Sequence, residues 1–180
     1  YELFPSFTAF TREVGESERF NQELRLVSTH GGPIDWIVGA FYNKFESVGS
    51  SSEFTPNYVP YVNAPPLGFG LTDRPDALEY FSAGRNQLEE FAVFGEVGYE
   101  LFDGFTVTLG GRYYNYDLQA VSTVDFPLFE PLSYTPLTLG QIGELDYDPA
   151  LAQSDDGFLF KANVSWDVTD DVLLYATISE

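Results

Sequence analysis

Residues 91–117 read FAVFGEVGYELFDGFTVTLGGRYYNYD, and the alternation in that stretch decides the fold. Phe91, Val93, Gly95, Val97, Tyr99 and Leu101 fall on one face of an extended chain, and Ala92, Phe94, Glu96, Gly98 and Glu100 on the other. After Phe102-Asp103-Gly104 the pattern resumes, with Phe105, Val107, Leu109, Gly111 and Tyr113 against Thr106, Thr108, Gly110, Arg112 and Tyr114. A period of two means strand. Asp-Gly between two such runs means a hairpin, with Gly104 as the left-handed third residue of a three-residue loop. That loop sets Leu101 opposite Phe105 and Glu96 opposite Gly110, with Arg112 as the diagonal neighbour of Glu96. One face is greasy and the other polar, as in a hairpin of a transmembrane β-barrel.

The rest of the composition agrees. Aromatics make up 17% of the 180 residues, a share that suits aromatic girdles. A net charge of −20 argues against nucleic acid, whose phosphates such a surface repels. There is no cysteine, so no disulfide frame or thiol chemistry. No run of about 20 apolar residues exists to form a membrane-spanning helix.

Working outward, Phe7–Glu13 reads as a short strand that Gly15 breaks. Glu18–Thr29 alternates Phe20, Gln22, Leu24 and Leu26 against Arg19, Asn21, Glu23 and Arg25. Gly31-Gly32-Pro33 turns the chain into a strand over Asp35–Glu46. Its lipid-facing set is either Ile37, Phe41 and Phe45 or Trp36, Val38, Ala40 and Tyr42. Residues 47–87 and 118–155, rich in proline, read as two long loops around the central hairpin. Gly157–Val168 then alternates Phe158, Phe160, Ala162, Val164 and Trp166 against Leu159, Lys161, Asn163, Ser165 and Asp167. After Thr169-Asp170-Asp171, the last strand puts Val172, Leu174, Ala176 and Ile178 on its greasy side. Short turns and long loops alternate strictly from residue 18, as periplasmic turns and extracellular loops do in outer-membrane barrels. The reading is all-β: about seven antiparallel strands, with both ends read as cut from a longer chain or closed by other copies.

Three hairpins add a family resemblance. FNQELRL at 20–26 with DWIVGAFY at 35–42, AVFGE at 92–96 with LGGRY at 109–113, and LYATISE at 174–180 together resemble the barrel domain of TonB-dependent outer-membrane receptors. The resemblance implies a barrel typically of 22 strands, closed by an N-terminal plug domain outside these residues. It implies a parent protein in the bacterial outer membrane, among lipid and lipopolysaccharide. Energised by the TonB complex, that parent would take up a scarce large ligand such as a ferric siderophore, cobalamin or glycan. It implies transport, so the chain reads as a non-enzyme with no cofactor. A passive porin-like or structural barrel, and a secreted soluble β-sheet binding or filament module, are the alternatives.

Individual residues carry less. Glu96, Arg112 and Lys161 are expected to face the lumen, with Glu96 and Arg112 as an ion pair that lines the polar wall or touches the plug. Tyr58, Tyr61, Tyr80, Tyr134 and Tyr147 are loop aromatics able to stack on ligand or to fill small cores of the loops themselves. Asp146, Asp148, Asp155 and Asp156 are weak ligands for a divalent ion, lacking the glycine and downstream glutamate of an EF-hand loop, and read more simply as a solvated acidic loop. His30, the only histidine, stands alone beside a turn and suggests no serine–histidine–acid set.

Overall fold

The computed structural model describes residues 7–29 and 31–180; His30 lies outside them. Six strands form one sheet in chain order: β1 Phe10–Val27, β2 Ile34–Phe54, β3 Leu78–Phe102, β4 Phe105–Asp125, β5 Gln153–Thr169 and β6 Val172–Ser179. Each strand neighbours the next in sequence, and the sheet is unclosed, with β1 and β6 at its edges. Two short α-helices lie in the connections, α1 Tyr58–Asn63 and α2 Leu139–Gly143.

Among the described residues there are six strands instead of about seven, because most of Phe7–Glu13 and of Glu18–Thr29 falls in the single strand β1. Gly15 does not break β1: it lies within the strand, where its backbone passes close to Gly49 of β2. The other long strands also outrun their hydrophobic pattern. β2 continues past Glu46 to Phe54, β3 begins at Leu78, and β4 continues past Asp117 to Asp125. The irregular segments are therefore 55–77 and 126–152, shorter than the expected 47–87 and 118–155.

Contacts divide the chain into two compact units. One holds the described part of Tyr1–Glu18 with Glu46–Gln87 and Gln119–Ala152; the other holds Arg19–Phe45, Leu88–Leu118 and Gln153–Glu180. In the second unit the sheet is two-faced. Phe20 and Leu24 of β1, Trp36 and Val38 of β2, Phe91, Val93, Val97, Tyr99 and Leu101 of β3, and Leu109 of β4 all stand in solvent. The register Phe105↔Trp166, Val107↔Val164, Leu109↔Ala162 and Tyr113↔Phe158 carries this face onto β5. Trp166↔Leu174, Val164↔Ala176 and Ala162↔Ile178 carry it onto β6. Leu109 is 62% exposed and Ile178 74%, so nothing among the described residues covers this face. The two sides of β2 are now distinguished: Trp36 and Val38 share the exposed face, while Phe41 and Phe45 lie beneath Arg112 and Arg19.

The first unit has a small core. Phe81, Ala83 and Ile142 are buried, with Val48, Leu137, Leu139 and Leu145 packed around them. Ile142 arrives on α2, whose start is a capping box: the Thr138 hydroxyl accepts from the Gln141 N–H, and the Gln141 side chain accepts from the Thr138 N–H.

Candidate functional site

The central hairpin turns as its sequence demands. Gly104 alone in the turn has a positive φ, 74°, and the rings of Phe102 and Phe105 stack at 4.8 Å. Glu96 then lies over Gly110, where a Cβ would come within 2.8 Å of the Glu96 Cγ.

That missing side chain organises the polar face of the second unit. Lys161 of β5 pairs directly with Gly110. The Glu96 carboxylate therefore reaches across the bare glycine and accepts from Lys161 Nζ at 3.1 Å. Arg112, expected to pair with Glu96, instead donates to Glu90 Oε1 at 2.9 Å and lies over the Phe41 ring. Arg25 pairs with Glu23 and lies over Phe94. These three pairs of opposite charge surround one concavity of about 590 Å³, floored by Gly95, Gly110 and Gly111. The structure thus brings Glu96, Arg112 and Lys161 together, with their partners redistributed. Every cation here is half-exposed and matched by a carboxylate, an arrangement that makes this side of the sheet a polar wall.

The loop aromatics lie in the first unit. Tyr58 and Tyr61 on α1 pack against Phe7 at 5.6 and 5.5 Å. Tyr80 belongs to β3, not to a loop, and meets Phe126 edge-on at 5.7 Å. The Tyr147 ring carries the Arg85 guanidinium at 4.0 Å, and Arg85 also donates to the Gly143 carbonyl at the end of α2. The Tyr134 hydroxyl donates to Asp125 Oδ2 at 2.9 Å. Burial, and then that bond to a carboxylate, raise the Tyr134 phenol above its ordinary range.

Arg74, which the sequence pattern did not single out, is the most buried cation among the described residues that carry one. It donates from Nε and Nη2 to the two Asp76 oxygens at 3.1 and 2.9 Å, and from Nη2 to the Tyr134 carbonyl at 3.2 Å. The bond from Arg74 holds the Asp76 carboxyl below the usual carboxylate range. One signal was available: Arg74 and Arg85 are the only cations between Lys44 and Arg112. A cation isolated in so acidic a chain has its partners close by.

The aspartates are dispersed. Asp148 caps its own turn by accepting from the Ala150 N–H at 2.8 Å. Asp155 and Asp156 lie in β5 opposite Tyr116 and Asn115, and Asp156 accepts from the Tyr113 hydroxyl at 3.4 Å. Among the described residues no three histidine, cysteine, aspartate or glutamate side chains gather where they could hold a metal ion.

A family model described as "TonB dependent receptor-like, beta-barrel" matches residues 2–180. Among solved structures, the chain is similar to the ferric yersiniabactin uptake receptor FyuA from Yersinia pestis. The TM-score is 0.67 at 17% identity, over 97% of this chain and 22% of that one. It is also similar to the ferric citrate transporter FecA in its unliganded form, with a TM-score of 0.54 at 12% identity over 95% and 21%. At these identities the likeness is one of fold. The chain spans about a fifth of the length of either structure. No curated protein sequence matches it.

Proposed function

We propose, for a chain that belongs to the TonB-dependent receptor-like β-barrel family, that its six strands are part of the wall of an outer-membrane barrel. The parent protein would import a scarce large ligand with energy delivered by TonB. The observation that carries this reading is the uncovered apolar face of the second unit, backed by a wall of matched charges. On β3 that face runs from Phe91 to Leu101. Eleven residues of strand extend roughly 35 Å, which at a tilt of about 45° rises roughly 25 Å, the height of a barrel's apolar band. Lipid is the solvent that such a face requires.

In this reading Glu96, Arg112 and Lys161 line the lumen and face a plug domain. The Asp103-Gly104 turn is periplasmic, and segments 55–77 and 126–152 belong to the outer, ligand-gathering surface. A siderophore-type ferric complex is one ligand class, because FyuA and FecA are described as handling ferric yersiniabactin and ferric citrate; cobalamin and glycans are others.

Two measurements test it. The parent protein should require detergent or lipid to stay monodisperse, and uptake should stop when TonB is deleted. A chain that is monodisperse in plain buffer would overturn the barrel wall. Uptake that survives loss of TonB would reassign the parent as a passive pore.

A further inference from the structure

The two irregular segments of the first unit meet at one junction. The Thr72 N–H donates to the Leu128 carbonyl at 2.9 Å, and its hydroxyl to the Glu130 carbonyl at 3.1 Å. Arg74 fastens the same junction through Tyr134. Around it, large apolar side chains remain in water. Phe129, between the two residues whose carbonyls Thr72 holds, is 73% exposed; Phe69, three residues before Thr72, is 63% exposed; Leu132 is 65% exposed. None of them belongs to the core that Phe81, Ala83 and Ile142 form.

The charges that flank these residues in sequence are mostly of one sign. Within four residues of Thr72 or Phe129, segments 55–77 and 126–152 hold Asp73, Asp76 and Glu130 against a single cation, Arg74. The Arg74 side chain is only 5% exposed and already bound to Asp76. An anion arriving here meets carboxylates and no accessible positive charge in either segment. A cation meets carboxylates and the negative faces of aromatic rings. A second copy of the chain would bring the same acidic surface and be repelled.

We propose that the Thr72 junction is a docking platform for an amphipathic organic cation, a molecule with a flat or bulky apolar body and a positive charge. The proposal rests on reading these segments as a ligand-gathering surface, and it narrows the ligand class away from anionic ferric complexes. The junction bonds hold the platform in shape before the ligand arrives, so little ordering entropy opposes binding.

The test uses the full parent protein in micelles with uncharged headgroups, with empty micelles as the partition control. Tetraphenylphosphonium and tetraphenylborate have nearly the same shape and opposite charge. Saturable binding of the phosphonium at least about tenfold tighter than the borate is expected. Replacing both rings (Phe69→Ala with Phe129→Ala) should weaken phosphonium binding by about tenfold, and Glu130→Gln by about two- to threefold. Both rings are exposed, so these changes leave the fold intact. Equal or tighter binding of the borate would overturn the proposal. So would phosphonium binding that ignores the double substitution, the result expected if other loops of the parent cover the platform. Neither outcome touches the barrel reading, whose failure shows separately as loss of the detergent requirement.

Discussion

Gly110 shows how far one absent side chain reaches. It lies between Glu96 and Lys161, and a Cβ there would come within 2.8 Å of the Glu96 Cγ. Gly110→Val should therefore destabilise the protein by about 1–3 kcal/mol, as overpacking does, read as a lower urea midpoint in detergent. Glu96→Gln removes only a half-exposed ion pair and should lower stability by less than about 1 kcal/mol. If the two variants behaved alike, the wall would be held by charge and not by fit. Tyr134 gives a pH signature. Its phenol pKa is raised on folding, so its contribution is full below the ordinary value of 10.0 and is lost as pH rises through the folded value. Above pH 10, Tyr134→Phe should lose less stability than the parent on further alkalinisation, as followed by unfolding at stepped pH. The opposition of Glu96 and Gly110 was legible from turn length alone. The true partners of Arg112 and Glu96 were not, because long side chains reach past their nearest diagonal and across a third strand.

Strands differ from the loops in how plainly they were written. Where one face meets an apolar surrounding and the other a polar one, alternation marks the strand, as in Phe91–Leu101 and Phe158–Trp166. Beyond those stretches β2 and β4 run on through Val-Gly-Ser-Ser-Ser at 48–52 and through Gln119–Thr123. There the ladder depends on backbone hydrogen bonds, which leave no hydrophobic period behind. Helix α2 did leave a trace, the Thr-x-x-Gln of its capping box at 138–141, hidden among prolines. Facing decides the effect of new charge on a strand. Leu109→Arg places a cation near the middle of the exposed apolar face of β4 and should lower stability in lipid by about 2–4 kcal/mol. Thr108→Arg, one residue away on the polar face, should be nearly neutral. Equal effects from both in lipid-vesicle unfolding would remove the distinction between the faces.

Across the whole chain, what could be read was the rhythm: greasy alternation, short turn, long loop. The junction between segments 55–77 and 126–152 could not be read, because Thr72 with Leu128 and Arg74 with Tyr134 pair residues about 60 apart whose contact no local pattern records. If Arg74 fastens that junction, Arg74→Gln should speed amide exchange in residues 66–77 and 126–134 together, by about tenfold. Faster exchange in one segment alone would mean that they are independent. The tight Asp103-Gly104 turn has a different reach, into what the gene can tolerate. Side chains alternate along β3 and β4, so one codon gained or lost within the paired run 105–113 would bring Arg112 toward the apolar side and a greasy neighbour toward the polar one. Insertions of several residues near Phe69 or Phe129 would leave that parity alone. Length variation among descendants of this chain should therefore collect in the two long segments, while the turn at Gly104 and the strands beside it keep their count.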